Sequence, residues 1–184
     1  AKVRQAVELS ESELRDLYAP HIREVEVCAW SKRDRKVEAR LQEQFGALVL
    51  SDRIWKDVPE AARGAAALDG LRDLGLQALK PSKAFDLLRA RLDLARGEMP
   101  DLPDPSEAAL LAEAEDWLLP YLGQVRSAAD LKALDPGPAL AARLDWDQAQ
   151  ALDRITPPSY TTPLGRKVAI DYSGEAPGIS LRLQ

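Results

Sequence analysis

Glu24-Val25-Glu26-Val27-Cys28-Ala29-Trp30-Ser31-Lys32-Arg33-Asp34-Arg35-Lys36-Val37-Glu38-Ala39-Arg40-Leu41-Gln42 reads as two strands and the turn that joins them. In the first half Val25, Val27 and Ala29 alternate with Glu24 and Glu26; in the second, Val37, Ala39 and Leu41 alternate with Lys36, Glu38 and Arg40. A period of two places each apolar set on one face of a pleated strand. With the turn centred on Arg33, Val27 meets Ala39, Val25 meets Leu41, and Glu26 lies opposite Arg40. Opposite charges facing across an antiparallel pair contribute about 0.2–1 kcal/mol. This register turns Cys28 outward.

Outward from the hairpin, the chain divides into three stretches of different period. Residues 1–56 read as a β-rich subdomain. An opening strand alternates through Val3, Gln5, Val7 and Leu9, and Ser10 with Glu13 has capping-box spacing for a short helix that Pro20 ends. After the hairpin, 45–50 reads as a further, more buried strand with Gly46 as a bulge or point of close approach. Residues 57–155 read as a helical subdomain of about five helices. Pro59 opens the first, with Leu68, Leu71 and Leu74 as its stripe and Gly75 at its end; Ser82 caps the second, which carries Phe85, Leu88 and Leu92. A third runs from Ser106 through Trp117 to Pro120, and the pairs Ser127/Asp130 and Asp145/Gln148 start two more. Trp117 and Trp146 fall on helical stripes and read as core, and Trp55 as a plug between subdomains. Residues 156–184 return to strands: a proline-rich loop over 156–165, then a second hairpin formed by 167–172 and 178–183. Strands, helices and strands again, without βα alternation, make an α+β fold.

The composition narrows the function. Thirty acids against 25 bases give a formal charge of −5, which argues against a protein coating nucleic acid with its whole surface but leaves room for a local basic patch. The single cysteine suits a reducing compartment, and no run approaches the roughly eighteen apolar residues of a membrane helix, so a soluble cytoplasmic protein is expected. Both ends fall inside strand alternation: either they are trimmed ends or their strands sit within the sheet. His21 is the only histidine, which removes Ser-His-Asp and Cys-His triads. One histidine and one cysteine do not build a structural zinc site. Neither a P-loop nor a G-x-G-x-x-G motif is present. No catalytic residue, cofactor-binding residue or metal ligand is expected in this chain. The paired acids, such as Glu113 with Glu115 and Asp116, read as solvated helix surface.

One interaction feature stands out: Trp30, Lys32, Arg33, Arg35 and Lys36 gather at the hairpin tip, four bases and one acid within residues 32–36. Such a loop neutralises phosphates, and a tryptophan or arginine face stacks on an unpaired base. The other reading is a solvated turn with Trp30 packed on the sheet. Three or four phosphates engaged on a single strand correspond to a log-log salt slope of roughly −2 to −3.

Several segments, in order, resemble one family. Phe45-Gly46-Ala47-Leu48-Val49-Leu50 followed by Ser51-Asp52-Arg53 is similar to the LGALVL-x-E-R segment of HrpB-type bacterial ATP-dependent helicases of the DExH-box group. Ala67 to Arg72, Arg89-Ala90-Arg91, Pro100-Asp101-Leu102, Glu115-Asp116-Trp117-Leu118, Pro120-Tyr121-Leu122, Leu144-Asp145-Trp146, Pro157 to Gly165 and Ile170-Asp171-Tyr172 continue the series across nearly the whole chain. The resemblance implies an RNA helicase whose two motor domains, with their ATP and magnesium, lie upstream of Ala1. It implies that 1–56 is the later part of an OB-like domain, that the tip is a connection between OB strands, and that single-stranded RNA or DNA is the partner. The family continues past Gln184 into a Glu-x-Phe-Gly segment. Leu164 stands where the family reads Pro-Ser-Gly and Met99 where it has a tryptophan; the first departure weakens any contact from that serine. The alternative function is a protein-docking module that never touches nucleic acid.

Overall fold

The computed structural model describes residues 7–174 and 176–180. The ends of the chain, with most of the expected opening strand and the far half of the last one, lie outside the described residues. Of the opening strand only 7–10 are described, and they are irregular. The first helix, α1 (Glu11–Tyr18), starts as the spacing predicts: Ser10 accepts from the Glu13 N–H, and the Glu13 carboxylate accepts from the Ser10 N–H at 2.9 Å. Pro20 ends it within a 3-10 turn.

A three-stranded antiparallel sheet follows, built of β1 (Ile22–Ser31), β2 (Lys36–Phe45) and β3 (Leu48–Ile54) with β2 in the centre. The hairpin exists, but its register differs by one residue from the expectation. Cys28 pairs with Ala39, Glu26 with Leu41, Trp30 with Val37 and Ser31 with Lys36. The turn therefore holds four residues, Lys32–Arg35, and closes through Arg35 at φ 50°. Because paired residues share a face, Val37, Ala39 and Leu41 lie on the side of Trp30 and Cys28 rather than on that of Val25 and Val27. The expected Glu26–Arg40 pair does not form; instead Glu24 pairs with Arg53 of β3. The expected strand at 45–50 is split. Gly46 at φ +58° makes a two-residue turn between Phe45 and Leu48, with nothing near its missing Cβ, so conformation and not close approach explains it. The register irregularity falls at Glu43/Gln44, and Leu48 and Val49 are exposed, not buried.

The helical layer comprises α2 (Glu60–Leu74), α3 (Lys83–Ala95), α4 (Glu107–Ala112), α5 (Ala114–Trp117), α6 (Ala128–Ala133), α7 (Gly137–Ala141) and α8 (Trp146–Ile155). The single helix expected from Ser106 is interrupted at Glu113, and α7 was not foreseen. Leu71, Leu92, Leu110, Leu118, Leu131 and Leu140 are fully buried at its centre. Trp117 is core as expected, its indole N–H donating to the Leu110 carbonyl at 2.9 Å. Trp146 is not: it is 74 % exposed, because it opens α8 while Ala151 and Leu152 face inward. Trp55 is half-buried, and its N–H donates to the Ala39 carbonyl.

Helix α2 is the element that joins sheet to helices. Its buried residues include the small Gly64, Ala66, Ala67 and Gly70 beside Leu68 and Leu71, and the small ones let neighbours approach the backbone. A methyl added at Gly70 would sit 2.6 Å from Cε2 and Cε3 of the Trp30 indole. Trp30 and Val37 thereby join the hydrophobic cluster of the helical layer.

The chain ends in a second antiparallel sheet, β4 (Ser159–Thr161), β5 (Lys167–Asp171) and β6 (Gly178–Ile179), with β5 central. Strand β4 lies inside what reads from sequence as a proline-rich loop, where it pairs with Lys167–Ala169. The whole is α+β, with a three-stranded sheet before the helices and a small one after them.

Candidate nucleic-acid interface

The tip of the β1–β2 hairpin is held from both sides. Inside the turn, the Asp34 N–H donates to Ser31 Oγ at 3.3 Å. On the far side, β2 continues beyond the end of β3 and pairs with the segment leading into α6. Val37 N–H donates to the Arg126 carbonyl at 2.7 Å, Ala128 N–H donates to the Arg35 carbonyl at 2.9 Å, and Lys36 and Ser127 form an antiparallel bridge. The tip is thus clamped to the helical layer by main-chain bonds and by Trp30.

Trp30 packs on α2, not on the sheet. One side of its ring lies on Gly70, and its indole Nε1 is buried without a hydrogen-bond partner. The remaining surface of the ring lines a cleft of about 570 Å³ shared with Ala29, Lys32, Asp69, Arg72 and Asp73.

The four basic side chains are all exposed, but they are not equivalent. Lys32 Nζ is 2.8 Å from Asp73 of α2, and this hydrogen bond raises the Lys32 pKa above its ordinary value. Arg33 is tied to its neighbour Asp34 at 3.1 Å, which raises the arginine's pKa and lowers the aspartate's. Lys36 has only a long contact to Glu38, 3.8 Å. Three of the four bases therefore have an acidic partner, the one at Lys36 being the most distant, and Arg35 alone has none among the described residues.

Elsewhere the described residues bring together no group of three or more His, Cys, Asp or Glu able to hold a metal ion. Cys28 is half-buried on the side of the sheet that faces α2, not outward. Burial pushes its thiol pKa up while the charge of Arg63 pulls it down, the opposite of an activated thiolate. A second cleft, about 400 Å³, is lined by Asp86, Arg89, Asp93, Pro105, Ser106 and Ser173; the Arg89 Nε is already engaged by the Pro105 carbonyl at 2.8 Å.

Comparison with known proteins agrees with this architecture. The family described as ATP-dependent helicase C-terminal, HrpB, matches residues 117–184. The chain is 33% identical over 166 residues to the ATP-dependent RNA helicase HrpB of Escherichia coli strain K12, an alignment covering 89% of this chain and 20% of that protein. Among solved structures it is similar to the Escherichia coli DEAH/RHA helicase HrpB, with a TM-score of 0.66, 33% identity, and coverage of 88% of this chain and 21% of that one. A second structure, described as the Escherichia coli DExH-box NTPase HrpB, gives a TM-score of 0.64 and 30% identity over 96% of this chain and 22% of that one. This chain is a homologue of the C-terminal region of HrpB-type ATP-dependent helicases, and it spans about a fifth of the length of the relatives it matches.

Proposed function

We propose that this chain supplies a single-strand nucleic-acid contact and a rigid scaffold to an ATP-driven RNA helicase whose motor lies elsewhere in the polypeptide. The observation that carries the reading is the placement of Lys32, Arg33, Arg35 and Lys36 on an exposed turn whose backbone is fixed to the helical layer. A positive loop that is already ordered loses little freedom on meeting a phosphate backbone. The sheet β1–β2–β3 is read here as the later strands of an OB-like domain, and the tip as one of its inter-strand connections. Divisions near residues 56 and 156 and a cytoplasmic setting belong to the same proposal; among the described residues no helix is long and apolar enough to cross a membrane.

The test is anisotropy of a labelled oligouridine titrated with the chain at several salt concentrations. Wild type is expected to bind with a log-log slope of roughly −2 to −3. The variant with Lys32, Arg33, Arg35 and Lys36 all changed to Gln is expected to lose most of that slope. Unchanged binding by this variant would remove the tip from the mechanism. One observation favours a second reading, a protein-docking module: Trp146 stands 74 % exposed on the helical layer. That reading requires no RNA binding even at low salt.

A further inference from the structure

The segment that clamps the hairpin tip brings a base of its own. Arg126 lies across from Val37, next to the Lys36–Ser127 bridge, so its Cα stands about one strand spacing, ~4.8 Å, from the start of β2. Its backbone is held on both sides. The Arg126 carbonyl accepts from Val37, and the Arg126 and Ser127 N–H groups donate to Asp130 Oδ2 at 2.8 and 3.0 Å. Ser127 Oγ also donates to that oxygen. The nearest acid in sequence is thereby committed to main-chain and hydroxyl donors. The Arg126 residue is exposed, and no ion pair to it forms among the described residues.

A guanidinium with a fixed backbone, no acidic partner and open solvent around it is suited to an incoming anion. Across the ladder Arg35, equally unpaired, stands two residues before Val37, the residue opposite Arg126, whereas Lys36, weakly paired, shares the other face with Ser127. We propose that Arg126 is a phosphate-binding residue of the same strip, and that the ligand is a single nucleic-acid strand whose backbone runs from the hairpin tip onto the helical layer. This rests on the function proposed above and extends it across the junction of sheet and helices. A phosphodiester backbone fits because it offers regularly spaced charges and asks only for cations in a row. The strip runs along an exposed surface, and what it presents is charge rather than a socket for a base.

The experiment is the oligouridine titration with Arg126→Gln and Arg126→Lys. Each phosphate contact on a single strand contributes about 0.7 to the salt exponent, so losing one weakens binding about eightfold at about 50 mM salt and flattens the slope by about 0.7. Arg126→Gln is expected to show both changes with an unaltered thermal midpoint, since only main-chain atoms of Arg126 hold the fold. Arg126→Lys, which keeps the charge, is expected to retain most of the affinity. If Arg126→Gln binds like wild type while the four-residue tip variant does not, this inference fails and the proposed function stands. If wild type itself does not bind, both fall. Polyglutamate bound as tightly as the oligonucleotide, with the same dependence on Arg126, would reassign the strip to an acidic protein and overturn the proposal.

Discussion

At the start of the chain the sheet β1–β2–β3 drives an indole against the helical layer, whereas the sheet β4–β5–β6 at its end meets that layer through hydrogen bonds. Trp30 and Val37 join the hydrophobic cluster, and α2 has given up a side chain at Gly70 to receive the ring. Among the described residues, none of the second sheet enters that cluster. Its entry is instead held by Arg91 of α3, which is 8 % exposed. Arg91 Nε donates to the Thr156 carbonyl at 2.6 Å, and its other nitrogen pairs with Asp153 of α8. The Tyr172 hydroxyl then donates to the Pro157 carbonyl at 2.7 Å. Apolar burial is non-directional and proportional to area, so it resists small displacements of the partner. A hydrogen-bonded joint contributes less net free energy and depends on each partner being present. The first sheet is therefore the more firmly seated of the two.

The largest expected effect follows from removing the indole. Trp30→Ala leaves a cavity between β1 and α2, and a loss of about 3 kcal/mol is expected, the lower end for a large aromatic because the ring is only partly buried. Denaturant midpoints measure the loss. Amide exchange should quicken across β1 and β2 and stay unchanged in β5; equal loosening at both ends would show that the two sheets are not fastened independently. The orphaned Nε1 offsets part of what the ring contributes, since a buried donor without a partner is unfavourable.

Next in size is Arg91→Met, which keeps the aliphatic stem and deletes the donors. A cost of about 2 kcal/mol is expected, arising from the Thr156 carbonyl left without its donor in a buried place. The lost pair with Asp153 contributes little, because that carboxylate is largely exposed. Exchange should rise in β4 and β5 and not in β1. A neutral outcome, as when a buried ion pair is replaced by apolar volume, would mean that packing, not polar contact, holds the second sheet.

How much of this was legible depended on the range of the interaction. The three capping boxes, Ser10/Glu13, Ser127/Asp130 and Asp145/Gln148, form as their three-residue spacing predicts, since both partners lie within one turn. The hairpin was readable from alternation, but its register was not: one residue of difference depends on Arg35 adopting a left-handed backbone, which its side chain does not advertise. Strand β4 was hidden behind Pro157 and Pro158, which favour a loop reading although they precede the ladder. Trp146 departs from the core position its stripe predicts, because a stripe fixes a helix's period and not which residue begins it. Within the candidate site the basic run was visible because it is contiguous. Its pairing with Asp73 and the nearness of Arg126 were not, since both come from residues distant in sequence.

The smallest effect concerns the last tie of the second sheet and depends on pH. Tyr172→Phe removes one half-buried hydrogen bond to Pro157, with an expected cost of about 1 kcal/mol. Burial raises the Tyr172 phenol above its ordinary pKa of 10.0, while the charge of Arg91 pulls it back. A phenol whose folded pKa is raised contributes stability that is complete below the unfolded value and lost as pH rises through the folded one; here the reason is that a phenolate has no proton to donate to the carbonyl. Wild type should therefore lose stability as pH rises above about 10 more steeply than Tyr172→Phe, so that the two curves converge on the alkaline side. Denaturant midpoints across that range, with tyrosine absorbance following ionisation, measure it. Parallel curves would show that Tyr172 ionises as freely as an exposed tyrosine, their constant separation then measuring the hydrogen bond alone.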